Sequence, residues 1–337
     1  MPSHRYWKIG PLLPLTLLSS FTLSAAGVTH RTSAFAFGPP LVSASANRNL
    51  WCRPSQQRRQ ERHFNSKMMA TSSQFNPSHI LESPSAERNK GPIYDLVLSP
   101  IIFPQLIQQQ QQQLHANTNS NDERPKIRVL ELAAGCGVHT IHFVSSFLST
   151  FSSESVVDIE WHPSDPDLEA RKSIDARVQL SNLNQHILPT NSWILGTSGG
   201  TACNDGGYRD TDGKAGAHQS GTIGNADEYA MHHEYFDLIT CINMIHIAPW
   251  EATLGLMECA GKVLRKGGAL LCYGPYKVDG VAVESNLRFD VSLRSKDPAW
   301  GVRNLEDVID VAKRQGLEYV QKVEMPSNNL SVIFRKM

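Results

Sequence analysis

The chain has no excess charge of either sign. Its 337 residues carry 32 lysines plus arginines against 32 aspartates plus glutamates. A basic domain draws nucleic acid from a distance; this composition supplies no such pull, and no nucleic-acid partner is expected. Cysteines are few, six in all, and none stands in C-x-x-C spacing. Zinc, a dithiol redox centre and a secreted disulfide framework are therefore not indicated, and no metal is expected. The apolar run Pro11 to Leu23 is too short for a bilayer span and prolines interrupt it, so stable membrane insertion of the mature protein is not expected. The sequence also has no G-x-x-x-x-G-K-[ST], which removes the P-loop.

Acids are nearly missing from the first 69 residues. Glu61 stands alone there against Arg5, Lys8, Arg31, Arg48, Arg53, Arg58, Arg59, Arg62 and Lys67. The basic start, the apolar run and the small residues after it resemble a cleavable secretory signal. Thr32-Ser-Ala-Phe-Ala-Phe-Gly-Pro-Pro40 and a Ser- and Arg-rich stretch come next. That order resembles the bipartite plastid leaders of algae with secondary plastids, with Phe35 as the discriminating residue. Residues 1–69 thus read as a disordered, cleavable targeting leader, and the plastid as the destination. Mitochondrion, secretion, or a cytoplasmic form begun at Met68 or Met69 are the alternatives. Residues 70–337 read as one domain carrying two low-complexity insertions, about 108–122 (the run Gln108 to Gln113) and about 199–230. His218, His232 and His233 lie in or beside the second, where solvated loop histidines are the ordinary reading.

What is present centres on Val129-Leu-Glu-Leu-Ala-Ala-Gly-Cys-Gly-Val-His139. An apolar strand, Ile127 to Leu132, carries Glu131 near its end and runs into Gly135-Cys136-Gly137. A helix comes after it, with Val138, Ile141, His142 and Ser145 as its predicted face. Glycines there let backbone approach a ligand, and the turn aims helix N–H groups at it. An ordinary tight turn is the competing reading. The phosphate fingerprint G-x-G-x-x-G needs a third glycine where Thr140 stands. S-adenosyl-L-methionine has no phosphate, so it fits this spacing better than a dinucleotide. Its ribose needs an acid after the next strand (Val156 to Trp161), and Asp165 is that acid. Asp165 also suits an N-cap for the helix-like run from Leu168. Cys136 reads as a small filler of the bend, and Cys241, Cys259 and Cys272 read as core.

The rest alternates strand and helix. Phe236 to Ile242 reads as a buried strand, and Trp250 to Leu264 as a helix stopped by Lys266-Gly267-Gly268. Ala269 to Tyr273 is another strand, Asn304 caps a helix ended by Gly316, and Glu318 to Val323 pairs with Leu330 to Arg335. This order predicts a doubly wound, mostly parallel α/β sheet.

Further blocks occur in order: Ser85-Ala-Glu-Arg-Asn-Lys-Gly-Pro-Ile93, Trp161-His-Pro-Ser-Asp-Pro-Asp167, Ile242-Asn-Met-Ile-His-Ile-Ala-Pro-Trp250, Tyr273-Gly-Pro-Tyr276, Ser285-Asn286, Phe289-Asp290, Asp297-Pro-Ala-Trp-Gly301 and Met325-Pro-Ser-Asn-Asn329. Together they resemble the domain-of-unknown-function 938 family, the group containing methyltransferase-like protein 26, over about residues 83 to 337. The resemblance implies a Rossmann-like class I methyltransferase fold, a seven-stranded sheet, and S-adenosyl-L-methionine as cofactor. It departs at the third strand, where the family usually has Leu-Asp-Val. The nearest stretch here, Trp193-Ile-Leu-Gly-Thr197, has no acid, so adenine recognition falls to Asp205, Asp210 or a backbone N–H.

The candidate cofactor contacts are Glu131, Ala133, Gly135, Gly137, His139, Asp165 and Asn243. Methyl transfer needs an aligned nucleophile and often a base. His246 is the candidate base, set against a histidine satisfied by backbone, and Asn243 the candidate orienter. Arg88, Asn89, Tyr273, Tyr276, Asn286 and Asp290 are the candidate substrate contacts. For Arg88 and Asn89 the competing reading is a solvated helix face. Asn328 and Asn329 rank lower, as residues of a final turn. The expected function is methylation of a small molecule; the alternative is a non-catalytic binding or assembly module of the same fold.

Overall fold

The computed structural model describes residues 53–54, 79–116, 124–151, 157–195 and 232–337. Almost all of the predicted leader, the segment 199–230 and Asp205, Asp210 and His218 lie outside these residues. Among the described residues, no helix is long and apolar enough to cross a membrane, and no group of three or more His, Cys, Asp or Glu is placed to hold a metal.

Helix α1 (Pro84–Ile93) starts at Ser83, whose hydroxyl accepts the Ala86 N–H. Proline at its first position supplies a preset φ and lacks an N–H that would have no intrahelical partner. A π-helical stretch, Tyr94–Ile102, joins it to α2 (Phe103–Ala116). Six strands form the main sheet: β1 (Lys126–Leu132), β2 (Asp158–Pro163), β3 (Phe236–Ile242), β4 (Leu264–Gly274), β5 (Leu317–Met325) and β6 (Asn329–Lys336). Their spatial order is β2-β1-β3-β4-β6-β5. The first four are parallel, and β6 runs antiparallel to both β4 and β5. Helices α3 (Val138–Phe151), α4 (Leu168–Ser181), α5 (Trp250–Val263), α6 (Glu284–Lys296) and α7 (Leu305–Arg314) complete the fold. Every residue of β3 is buried, as expected of a central strand covered on both faces. One apolar cluster joins Trp161, Phe143, Phe147 and Phe103; a second joins Phe236, Leu256, Met257 and Phe334. Complete burial of side chains this size contributes about 1.5–3 kcal/mol each.

The α/β architecture and the antiparallel closing pair agree with the sequence reading, but several details do not. Among the described residues the sheet has six regular strands, where seven were expected. The seventh position, outside β2, is filled by residues 186–191, which run parallel to it through two isolated bridges, Trp161 with Ile187 and Ser164 with Asn191. Of Trp193 to Thr197, the stretch nearest the family's third strand, the described residues 193–195 lie in no strand, and Trp193 packs edge-on to Phe236. Pro189 interrupts donation along the segment, which accounts for its irregularity.

The glutamine run, expected to be part of an exposed insertion, is helical, with Gln108, Gln112 and Gln113 exposed. It continues α2, where Gln110 is buried and donates to Asp237 Oδ1 at 2.9 Å. Asp237 also holds Arg265 at 3.0 Å and the Arg128 N–H at 2.8 Å. On α3 the buried residues are Val138, His139, Thr140, Phe143, Val144 and Phe147, while Ser145 is exposed, so the face is rotated from the prediction. Helix α5 ends at Val263 and passes directly into β4; Gly267, at φ +78°, lies inside that strand instead of closing the helix. Asn304 does precede α7, yet its amide donates to Asp307 and caps nothing.

Candidate functional site

The chain passes from β1 to β2 on one side, then returns to β3 on the other side of β1. That reversal opens a crevice beyond the carboxyl ends of β1 and β3, the usual ligand position in open α/β sheets. A cleft lies there, with about 760 Å³ of empty space including its open mouth. Its walls come from three strand ends and the start of α1: Ala133 to Cys136 after β1, Asp165 and Pro166 after β2, Ile242 to Met244 after β3, and Ser83, Ser85 and Ala86 opposite.

The turn after β1 is built by backbone. Ala133 takes φ +54° and Gly135 φ +62°. The Ala134 N–H donates to Ser164 O at 2.9 Å, tying this turn to the end of β2. A Cβ added to Gly135 would meet nothing within 4 Å, so the glycine faces open cleft. Gly137 differs. Its Cβ would lie 3.0 Å from Ile174 Cα on α4, and its φ is +83°. It is a packing glycine and not a wall of the cleft, contrary to expectation.

Asp165 is 8% exposed and lines the cleft. Its Oδ2 accepts the Gly135 N–H and its Oδ1 the Asp167 N–H, both at 2.9 Å. Two oxygens offer about four acceptor sites, so capacity remains for hydroxyl donors. Burial raises its pKa from 3.8 to about 6, against the pull of the two N–H groups. The N-cap of α4 is Asp167, whose Oδ1 accepts Ala170 N–H at 2.8 Å, which removes the capping role from Asp165.

Glu131 does not reach the cleft. Its Oε2 accepts the Thr140 hydroxyl at 2.6 Å and the Trp161 indole N–H at 2.7 Å, and it is 2% exposed. Burial pushes its pKa from 4.5 to about 7. Its place is under the turn, fastening α3 to β2. The structure thus moves it from the cofactor contacts to the support of the turn.

His139 and Asn243 do line the cleft. Asn243 takes φ +60°, and its N–H donates to Tyr273 O at 2.8 Å. His139 Nε2 lies 2.7 Å from Asn89 Oδ1, and burial lowers its pKa to about 3. The imidazole is therefore neutral and donates through Nε2. His246 is absent from the cleft wall. It is 2% exposed, its ring lies 5.7 Å from that of Phe289, and a Cβ on Gly274 would meet its Nδ1 at 2.9 Å. Burial and the nearby Arg303 charge lower its pKa to about 3. A base at the mouth is not where the structure puts this residue.

Of the substrate candidates, Asn89, Tyr273 and Asn286 gather beside the cleft. The Tyr273 hydroxyl accepts Asn329 Nδ2–H at 3.0 Å, and Asn286 Nδ2–H donates to Asn328 O at 2.9 Å. Arg88, next to Asn89 on α1, is exposed. Tyr276 and Asp290 do not join them. Tyr276 is buried with Cys241 and Cys272 in the second core cluster, and its hydroxyl finds no hydrogen-bond partner among the described residues. Asp290 binds Lys277 and Arg294, both at 3.2 Å, and the Val302 N–H at 2.7 Å, which lowers its pKa. It is an ionic clasp for α6. Among residues not foreseen, Ser83 drew no reading, and Ala86, Ile242 and Met244 stood only inside the family blocks.

Several solved structures resemble this chain weakly. An O-methyltransferase family protein from Burkholderia thailandensis shares 12% identity, covering 62% of this chain and 51% of its own, with TM-score 0.46. An O-methyltransferase family 2 protein from Planctomyces limnophilus, solved with apigenin, shares 14%, covering 77% and 64%, with TM-score 0.44. The S-adenosylmethionine-dependent methyltransferase SibL in its apo form shares 14%, covering 62% and 50%, with TM-score 0.44. The chain spans about half the length of the first of these matches. Residues 218–336 match the family described as "Protein of unknown function (DUF938)". That span takes in β3 to β6 and α6; the turn after β1 and Asp165 precede it. The chain carries a DUF938 region.

Proposed function

We propose that this protein is an S-adenosyl-L-methionine-dependent methyltransferase acting on a small molecule. One observation carries the reading: a buried acid after β2, Asp165, lines the same cleft as the open Gly135 turn after β1 and Asn243 after β3. The residues fit that cofactor. Asp165 would accept from the ribose hydroxyls, the Ala133–Gly135 turn would pass under the amino acid portion, and Ile242 and Met244 would offer apolar contact. The bound cofactor supplies a methyl group made electrophilic by a sulfonium. The chain supplies orientation and shelter from water, and held geometry alone contributes much of a barrier reduction. His139, neutral and hydrogen-bonded to Asn89, adds an imidazole to the cleft wall.

A second reading is a non-catalytic binding module. Burial holds both His139 and His246 at a pKa of about 3, so neither is a base matched to neutral pH. Calorimetric titration of the full chain with S-adenosyl-L-methionine tests the site. Dissociation constants on the order of micromolar, weakened by roughly tenfold or more in Asp165→Ala with the circular dichroism spectrum unchanged, are the expected result. No heat from a folded wild-type protein would overturn both the site and the function. Binding without cofactor consumption over a panel of small acceptors would leave the module reading.

A further inference from the structure

We infer that the protein carries a second small-molecule site, a groove lined from α5, α6 and α7, and that this groove takes a neutral α-amino acid with a large apolar side chain. The inference stands apart from the methyltransferase reading, because the groove shares no lining residue with the cofactor cleft.

The groove holds about 1080 Å³ of empty space including its open mouth. Arg303 lines it and is half-buried. Its Nη2 donates to Ala248 O at 2.9 Å and Ala299 O at 2.6 Å, and its Nε to Ile245 O at 3.4 Å. These bonds anchor the guanidinium 5.8 Å from the centre of the Trp250 ring, which also lines the groove. They occupy three of its five N–H groups. Carbonyls hold the cation without neutralising it. Among the described residues Nη1 donates to nothing and no carboxylate pairs with Arg303. An anchored guanidinium with free N–H groups and no counter-ion, at the wall of an open groove, is complementary to a carboxylate.

The groove also contains charge of the other sign. Asp307 and Asp310 line it from one face of α7, three residues apart. The two lining cations Lys277 and Arg294 are taken up by Asp290. Among the described residues no ion pair takes up Asp307 or Asp310, and Asp307 accepts only the Asn304 amide N–H at 3.1 Å. A ligand with two negative charges would meet these aspartates, and one with two positive charges would meet Arg303. A zwitterion answers both signs at once: its carboxylate suits Arg303 and its ammonium suits the aspartates. Trp250, Leu254, Val302 and Val311 supply apolar surface for a side chain.

The test is calorimetric titration of the full chain with L-phenylalanine, L-leucine and L-methionine. The tightest of them is then compared with its amide, which lacks the carboxylate, and with its deaminated acid, which lacks the ammonium. Binding on the order of millimolar or tighter is expected, with each analogue about tenfold weaker. Arg303→Gln should weaken the amino acid about tenfold, and so should Asp307→Asn combined with Asp310→Asn. Arg303→Gln also frees three carbonyls, so if that variant fails to fold the double aspartate variant decides. Asp165→Ala, in the cofactor cleft, should bind the amino acid as the wild type does. No binding of any of the three, equal binding of the amino acid and its analogues, or full affinity in the double variant would overturn the proposal. So would affinity lost in Asp165→Ala and kept in the double variant, because the amino acid would then sit in the cofactor cleft.

Discussion

The two sides of the cleft are built from different material. The side after β1 and β2 is backbone: left-handed residues, N–H groups aimed at a carboxylate, and a glycine with open space where a Cβ would be. The side toward α1, α6 and the turn at 326–328 is backed by side chains: asparagines and a tyrosine from distant parts of the chain, hydrogen-bonded behind the wall. Backbone architecture fixes where an invariant ligand sits. Side-chain architecture can be exchanged one residue at a time, which suits the half of a site that chooses among acceptors.

The sharpest way to break this contrast is to treat the two glycines of the turn alike. Gly137→Val puts a branched side chain against Ile174 at a positive φ. It should lose about 3 kcal/mol or more of stability, read from urea unfolding. Gly135→Val has room and carries only backbone strain, about 1–3 kcal/mol, so it should fold but lose cofactor affinity. Equal unfolding of both would mean the turn has one role and not two.

A smaller effect sharpens the claim that Glu131 supports the turn from below. Its folded pKa, about 7, lies above the ordinary 4.5. The folded protein therefore holds this proton more tightly than the unfolded chain does. Stability from this group is greatest below pH 4.5 and falls as pH rises toward 7, and Asp165, raised to about 6 from 3.8, acts in the same direction at lower pH. Glu131→Gln should remove much of that decline, a change on the order of 1–3 kcal/mol at pH 8. Urea midpoints from about pH 4.5 to 8 check it; parallel curves for the two proteins would place the titration elsewhere.

The smallest effect belongs to the side-chain half. Asn286→Ala removes the bond to Asn328 O, worth about 1 kcal/mol. Ser327 and Asn328 both hold positive φ there, so the turn should loosen. Amide hydrogen exchange at 326–329 should quicken while cofactor affinity is unchanged. A loss of cofactor affinity would join the two halves into one.

The same contrast governs what could be read from the sequence. Glycine spacing, an acid after a strand and alternating apolar runs are local signals, and they point to Gly135, Asp165 and the alternation of strand and helix, while Asn243 came with the family blocks. Whether a glycine faces a cleft or a helix depends, at Gly137, on the distant Ile174, and nothing near Gly137 records it. Glu131 sits in the expected motif, yet its partners Thr140 and Trp161 are fixed only by tertiary packing. Tyr276 and Asp290 come after the right strand but point into core and clasp, because side-chain direction after a strand end is set by the next turn. The ordered blocks behind the family resemblance contain Asn89, Tyr273, Asn286 and Asn329, but do not show that Asn89 meets His139, Asn286 meets Asn328 and Asn329 meets Tyr273. Composition misled at Gln108 to Gln113, where a low-complexity run turned out to hold a core contact.

That run also bears on how this protein can change length. A homopolymer has no internal landmarks. If one glutamine is duplicated anywhere in it, a glutamine still occupies position 110 and still meets Asp237. The extra residue emerges only past the last repeat, shifting Leu114 and its successors toward the far end of α2. Repeat expansion, which elsewhere in a helix would turn the whole face by about 100°, is here absorbed at that end, and the core contact is indifferent to it.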